Sequence, residues 1–337
     1  MSEPVTIKRG TEIELEIESL AYGGMGLARI ENFVIFVKYA IPGQKVLARI
    51  YKKRKGYAEA QVLETLVESP NAVDVCCKHY WICSKIQSLS YDEQIKEKSS
   101  QVEDAFVRLG GFLNFKLDKV QKANLIYHYR NKMEFTFSPN RWVLESEPEG
   151  VDKSFALGLH IPGRFDKILD IHNCHIQPEI GNKILAVARE VCLANPELRP
   201  YDPRSHIGFL RFLMLRFGVN TGDLMVNVVT SYHDIDKLSP LTDLLLEKFP
   251  EITSLVNNVN TRKADVAFGE YETLLYGKPF IQEKIGDLTF EISANSFFQT
   301  NTTQGEVLYK EVEEALELRG DEIIYDLYCG TGTIGLY

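Results

Sequence analysis

Asp326-Leu327-Tyr328-Cys329-Gly330-Thr331-Gly332-Thr333 follows directly on the β-rich run Ile323 to Tyr328, and a new segment begins at Ile334. Strand, glycine-rich loop and incipient helix, in that order, are how a doubly wound α/β domain starts. Glycines after a buried strand let backbone approach a ligand closely. Gly330 and Gly332 sit two apart, as a nucleoside-cofactor loop requires. A bare Gly-x-Gly also fits a tight strand-to-helix turn, so the weight falls on the whole octapeptide.

Upstream of the loop, Leu288 to Ile292 reads as a strand. Thr302 to Leu318 reads as an amphipathic helix with Leu308, Val312, Ala315 and Leu316 along one side. Further back, strands are expected at Arg130 to Phe137, Phe155 to Ile161, Phe209 to Phe217 and Leu224 to Thr230. Helices are expected at Pro178 to Ala194 and Leu238 to Lys248. Another helix starts with Asp92 as N-cap, carries Ile95, Val102, Phe106 and Leu109 on one face, and stops at Gly110-Gly111. The first seventy residues are different. Thr11 to Glu18 alternates Ile13, Leu15 and Ile17 with glutamates, the mark of a half-buried strand. Gly23, Gly24 and Gly26 mark a turn, Phe33 to Val37 a strand, and Ile41-Pro42-Gly43 another turn. Val46 to Tyr51 and Ala58 to Leu66 complete the set. Short strands joined by glycine turns predict a small closed barrel of the OB type.

The expected architecture is therefore multidomain α+β. An OB-like barrel spans 1–70, a central α+β domain spans 71–288, and a Rossmann-like α/β domain starts at 289–337. The 337 residues are 45% hydrophobic and 25% charged, which fits domains that bury their own cores. No apolar run approaches the roughly 18 residues of a membrane helix. Met1 to Gly10 shows no apolar leader core, so the expected compartment is the cytoplasm. A net charge of -9 argues against a nucleic-acid partner. Locally the balance reverses, because Arg49, Lys52, Lys53, Arg54 and Lys55 lie between or beside Tyr51 and Tyr57. Screening over about 8–10 Å lets such a strip meet phosphate on an acidic protein. It is equally readable as a solvated hairpin tip.

The octapeptide resembles the first methyl-donor motif of the uracil-5 RNA methyltransferases, Asp-Leu-aromatic-Cys-Gly-x-Gly. The resemblance runs back through the chain. Residues 1–70 look like a TRAM domain, an RNA-binding barrel. Tyr129-Arg130-Asn131-Lys132-Met133-Glu134-Phe135 is similar to that family's entry into its middle domain. Ile292-Ser293-Ala294-Asn295-Ser296-Phe297-Phe298-Gln299-Thr300-Asn301 is similar to the segment before its donor domain. The likeness is greatest to the TRAM-containing 23S ribosomal RNA enzymes; tRNA enzymes of this kind usually lack the barrel. It implies S-adenosyl-L-methionine as cofactor, with Gln299, Tyr328, Gly330, Gly332 and Thr333 at the donor. It implies ribosomal RNA as partner, with Lys52, Lys53, Arg54 and Lys55 on phosphates and Phe297 stacked on an extruded uracil. By pattern alone, Phe297 beside Phe298 also reads as core, and Gln299 as a helix cap. No obligate protein partner is implied.

In this family a cysteine thiolate adds to carbon 6 of uracil, the resulting enolate takes the methyl group, and a base removes the carbon 5 proton. The thiol belongs to a Ser-Cys-Asn-Pro-like motif, which is absent here. No catalytic residue is therefore assigned, and the chain is expected to be a C-terminally truncated, inactive form of its parent enzyme. Many relatives also hold a 4Fe–4S cluster through Cys-x5-Cys-x2-Cys and a distant cysteine. Cys77, Cys83 and Cys174 match three of those ligands, but Ile86 stands at the third position and cannot ligate iron. A degenerate site is expected, with Cys76 and His79 as substitutes of awkward placement. The competing expectations are a non-catalytic RNA-binding protein and an unrelated nucleotide-binding α/β protein.

Overall fold

Glutamate and aliphatic residues alternate along β1 (Glu12–Glu16), and the alternation continues to Ile17, so Leu15 and Ile17 are buried while Glu12, Glu14 and Glu16 face water. Five more strands follow: β2 (Ser19–Ala21), β3 (Met25–Ile30), β4 (Phe33–Lys38), β5 (Lys45–Lys53) and β6 (Tyr57–Val67). They form one sheet in the order β1-β5-β6-β4-β3-β2. Its two edge strands are consecutive in the chain. At the junction, Ile17 N–H donates to Gln44 O at 2.9 Å and Glu18 N–H to Leu27 O at 2.8 Å, so one segment bonds to both sides and closes the barrel. Leu15, Ile17, Ala28, Ile35, Val37, Val46, Ala48, Ile50, Ala58 and Ala60 fill it. The glycine turn is shorter than expected. Only Gly23 and Gly24 take positive φ, at 93° and 81°, and Gly26 falls inside β3.

The computed structural model describes residues 7–144, 147–264 and 266–337, and its backbone divides into two units, Met1–Asn124 and Leu125–Tyr337. Of the stretch Met1 to Gly10 read above, residues 1–6 lie outside the described residues. The first unit continues through a short helix α1 (Tyr80–Cys83) to α2 (Tyr91–Asp104), which passes into a π-turn at Ala105–Leu109. Two expectations fail here. The N-cap is Ser90, while Asp92 lies in the first turn, ion-paired with Lys122 at 2.6 Å. The face expected to carry Ile95, Val102, Phe106 and Leu109 is largely open: Val102, Phe106 and Leu109 are exposed, and from Ala105 on the π-turn shifts the helical phase.

The second unit is built on a seven-stranded sheet. Its strands are β7 (Lys132–Ser138), β8 (Ala156–His160), β9 (Ile168–Asp170), β10 (Leu210–Phe217), β11 (Leu224–Thr230), β12 (Ser254–Val259) and β13 (Tyr271–Gly277), in the order β13-β12-β11-β10-β7-β8-β9. Helices α3 (Glu179–Ala194) and α4 (Ile235–Lys248) pack on each other. Among the described strands of this sheet only β11 and β12 pair in parallel, and α4 supplies the crossover that parallel pairing requires. Arg189 of α3 donates to Leu157 O, Ile171 O and Asp170 Oδ1 at 2.7–3.1 Å, fastening that helix over β8 and β9. A separate hairpin, β14 (Phe280–Ile285) and β15 (Leu288–Ser293), leads through the 294–301 segment to α5 (Thr302–Leu316) and α6 (Thr333–Leu336).

Two C-terminal expectations need correction. The buried side of α5 is Thr302, Gly305 and Tyr309, whereas Leu308 and Leu316 face solvent. Residues Ile323 to Tyr328 form no strand; Ile323, Tyr325, Leu327 and Tyr328 are exposed. A strand exists only with a partner for its N–H and C=O groups, and none pairs with this run among the described residues.

Candidate functional site

Met225, Val256, Ile281, Ile285, Ile292, Ala294, Phe298 and Tyr309 form one apolar cluster joining the large sheet, the hairpin and α5. Within the cluster, the pair Phe297-Phe298 divides its labour. Phe298 is buried, 5.9 Å from the Phe290 ring, and Phe297 is 67% exposed. The adjoining backbone is held from beneath by buried polar groups. Asn131 donates through Nδ2 to Gln299 O and to Thr302 Oγ1, both at 2.8 Å, and its N–H donates to Thr300 O. Thr302 Oγ1 donates in turn to Glu283 Oε2 at 2.8 Å. Glu283 is fully buried and also accepts from Val219 N–H and Asn220 N–H. On the other side Arg216 donates to Ala294 O and to Ser296 O. Burial pulls the Arg216 guanidinium down to about 10, opposed in part by the Glu134 carboxylate; it stays charged at neutral pH. Asn295 donates to Asn258, which donates to Asn227 and Glu272.

Thus the segments around 131 and around 292–301, distant in sequence, meet in one buried network. Sequence reasoning assigned no role to Glu283, Thr302 or Arg216. Gln299 is not the cap of α5; Asn301 is, accepting from Gln304 N–H at 3.1 Å. The Gln299 side chain instead lies over Gly305, 3.3 Å from where a Cβ there would stand.

The glycine loop is tied to the same segment. Thr331 Oγ1 donates to Phe297 O at 3.3 Å, and the Thr333 hydroxyl lies 2.9 Å from the Tyr309 phenol on α5. Tyr328, Gly330 and Gly332 all have positive φ, at 66°, 58° and 75°. A Cβ on Gly330 would meet nothing within 4 Å, so the loop's outer side is open for a ligand to approach. Tyr328 is fully exposed beside it.

The basic strip lies elsewhere, on the barrel. Lys52 and Lys53 end β5, and Arg54, Lys55 and Gly56 form its tip, where Arg54 N–H donates to Tyr57 O. Lys52 is paired with Glu59 at 2.5 Å and Arg49 with Glu12 at 2.6 Å, so part of the positive charge is offset locally.

None of the six cysteines is in a disulfide. The Gln87 carboxamide hydrogen-bonds to both Cys76 and Cys77. Its Oε1 accepts from Cys76 N–H at 2.9 Å and from both thiols, and its Nε2 lies 3.7 Å from Cys77 Sγ. Ile86 packs into an apolar cluster with Leu20, Ile41 and Leu89. His172 pairs with Asp170 and His175 contacts Asn173. Among the described residues no group of three or more His, Cys, Asp or Glu side chains is arranged to hold a metal ion. The donor set of this chain does not fit a four-thiolate cluster. Burial pushes the Cys77 thiol up to about 11 and the Cys192 thiol, on α3, up to about 12, which leaves both protonated at neutral pH.

Residues 7–63 match the TRAM domain model. The chain is 40% identical over 330 residues to the uncharacterized RNA methyltransferase of Porphyromonas gingivalis, covering 95% of this chain and 70% of that protein. It is 42% identical over 303 residues to one from Chlorobaculum tepidum, covering 88% and 62%. The chain belongs to this family of TRAM-containing RNA methyltransferases. Among solved structures it is similar to the Pyrococcus abyssi tRNA (uracil-54, C5)-methyltransferase in complex with S-adenosyl-L-homocysteine, at 25% identity and a TM-score of 0.69. That likeness covers 96% of this chain and 69% of the other.

Proposed function

We propose that the protein serves methyl transfer from S-adenosyl-L-methionine to carbon 5 of a uridine in 23S ribosomal RNA, in the cytoplasm and without an obligate protein partner. The observation that carries this reading is the Thr331–Phe297 hydrogen bond, which holds the open glycine loop beside an exposed aromatic ring. Methyl transfer needs donor and acceptor within reach of each other, and stacking on an aromatic face is the usual way to hold an extruded base. When bound, S-adenosyl-L-methionine supplies an electrophilic methyl group on sulfur. Gln299, Tyr328, Gly330 and Gly332 would hold it, the open side of Gly330 admitting its approach to the backbone. Thr333 would act as anchor, since its hydroxyl already faces Tyr309. Phe297 orients the base, while Asn131, Arg216 and Glu283 fix the backbone on which Phe297 and Gln299 sit. The thiolate that adds to carbon 6 requires a cysteine the base can reach, and Cys77 and Cys192 are buried. We assign that role to no residue of these 337. The three-way division 1–70, 71–288 and 289–337 belongs to the same proposal.

A tRNA target is the second reading, favoured by the Pyrococcus abyssi likeness. Its 96% coverage leaves too few residues unmatched to exclude the barrel, so a barrel does not separate the two RNA classes. The base site is tested with RNA carrying a single 5-bromouridine, irradiated in the presence of the protein. The expected adduct lies on the peptide containing Phe297 and disappears in Phe297→Ala. Adducts confined to barrel peptides would contradict the assignment.

A further inference from the structure

Phe268 lies in the loop between β12 and β13 and is 49% exposed. A phenylalanine half in water is ordinary where the backbone is loose, but this backbone is fastened. Arg211, buried on β10, donates to Asn260 O, Arg262 O and Ala264 O at 2.6–2.8 Å. Asn260, also buried, donates through Nδ2 to Val266 O at 2.5 Å and accepts from Arg262 N–H at 3.0 Å. On one side of Phe268, Ala267 is buried against Phe212, Met214 and Val229. On the other, Gly269 lies so close to β12 that a Cβ there would stand 2.9 Å from that of Asn258 and 2.8 Å from Val259 O. Phe268 therefore sits between two residues pressed onto the sheet, and its own ring is the one that turns outward.

The same face of the sheet carries the segment of Phe297. Side chains alternate along a strand, so Lys132 and Glu134 of β7, Met214 and Arg216 of β10, and Asn227 and Val229 of β11, paired in register, share that face. Met214 and Val229 support Ala267, while Arg216 holds Ala294 O and Ser296 O. Asn258, against which Gly269 rests, accepts from Asn295 Nδ2 at 3.3 Å. Lys132, the register partner of Arg216, brings its Nζ to 5.8 Å from the centre of the Phe268 ring. Two routes of contact, one through Asn258 and one through Lys132, thus place Phe268 and the 67% exposed Phe297 about one patch. Lys132 is paired with Glu134 at 2.5 Å, so that pair adds no net charge to the patch. Two exposed rings on fastened backbone, beside a charge-balanced polar surface, fit the faces of bases and not phosphates.

We propose that Phe268 is a second stacking position beside Phe297: with the target uracil on Phe297, the next base of the strand lies on Phe268. The proposal rests on the reading of Phe297 as the base site and deepens it. It makes the substrate an unpaired segment in which two consecutive bases leave the stack together, in place of a duplex from which one base is extruded. Gly269 sets the position of the ring, because a residue without Cβ lets the loop lie against Asn258.

The test uses a labelled single-stranded oligoadenylate containing one uridine, bound to the whole chain and followed by fluorescence anisotropy across a salt series. Phe268→Leu should weaken binding by roughly five- to a hundredfold at every salt concentration. The salt slope should stay unchanged, since stacking and not phosphate neutralisation is lost. Phe268→Tyr, which keeps an aromatic face, should bind like the parent. A 5-bromocytidine placed next to the uridine, on its 5′ or its 3′ side, should on irradiation give an adduct on the peptide containing Phe268 from one of the two sides. In Phe268→Leu that adduct should vanish, while a 5-bromouridine at the uridine position still marks the Phe297 peptide and so shows that the variant is folded. Unchanged affinity in Phe268→Leu, with the Phe297 adduct present and no neighbour adduct on the Phe268 peptide, overturns the second position and leaves the base site standing. Absence of the Phe297 adduct from the unaltered chain removes the base site, and the second position with it.

Discussion

Arg216 is a cation 78 residues before the first carbonyl it binds, inside a sheet, with Glu134 as its nearest charged influence. Its role is to hold the backbone of Ala294 and Ser296, and hence the direction in which Phe297 leaves the chain. Arg216→Met should destabilise the second unit by about 2–3 kcal/mol, since hydrogen bonds to a charged group are removed and buried carbonyls stay unpaired. Urea unfolding measures this, and a change within experimental error would show that the network is not what fixes the segment. Burial also sorts the thiols. Cys76, Cys83 and Cys329 are exposed and should be alkylated rapidly at pH 8, whereas Cys77, Cys174 and Cys192 should react only after unfolding. The folded pKa values of Cys77 and Cys192 are raised from 9.0, so the unfolded chain loses those protons first. Their contribution to stability is full below about pH 9 and is lost as pH rises through about 11 to 12. Rapid modification of Cys192 in native protein would contradict its place in the core.

Elements were legible where one face is wet or where an apolar run is long. The β1 alternation, the apolar runs of β10 and β11, and the two long helices α3 and α4 were all readable. Strand β12 was not, because Ser254, Asn257 and Asn258 look like surface yet are wholly buried, the two asparagines bonded to a neighbouring strand. The reverse error came at Ile323 to Tyr328, where β propensity is high but no pairing strand lies alongside among the described residues. Propensity describes a fit to a sheet and does not create one. Close backbone approach is equally invisible in sequence. Gly158 in β8 looks unremarkable, yet a Cβ there would stand 1.9 Å from Leu169 O. Gly158→Ala should therefore cost about 2–3 kcal/mol by forcing β8 from β9. An unchanged thermal midpoint would mean that β9 gives way without loss.

For the molecule as a whole, the motifs at 129–135, 292–301 and 326–333 were readable as separate words, and the structure joins them. What joins them, Asn131 to Thr302 to Glu283 and Thr331 to Phe297, was not readable, because a buried polar residue carries no compositional mark of its burial. Family membership is settled by likeness along nearly the whole chain, while the base and the RNA it sits in are a matter of chemistry. The most direct measurement is a mass-spectrometric map of 5-methyluridine in ribosomal and transfer RNA from cells with and without the gene. Loss of 5-methyluridine at a site in 23S ribosomal RNA, with tRNA unchanged, is the predicted result. Loss in tRNA alone would move the target to the second reading. An unaltered 5-methyluridine content in both RNA classes would contradict uracil-5 methylation itself.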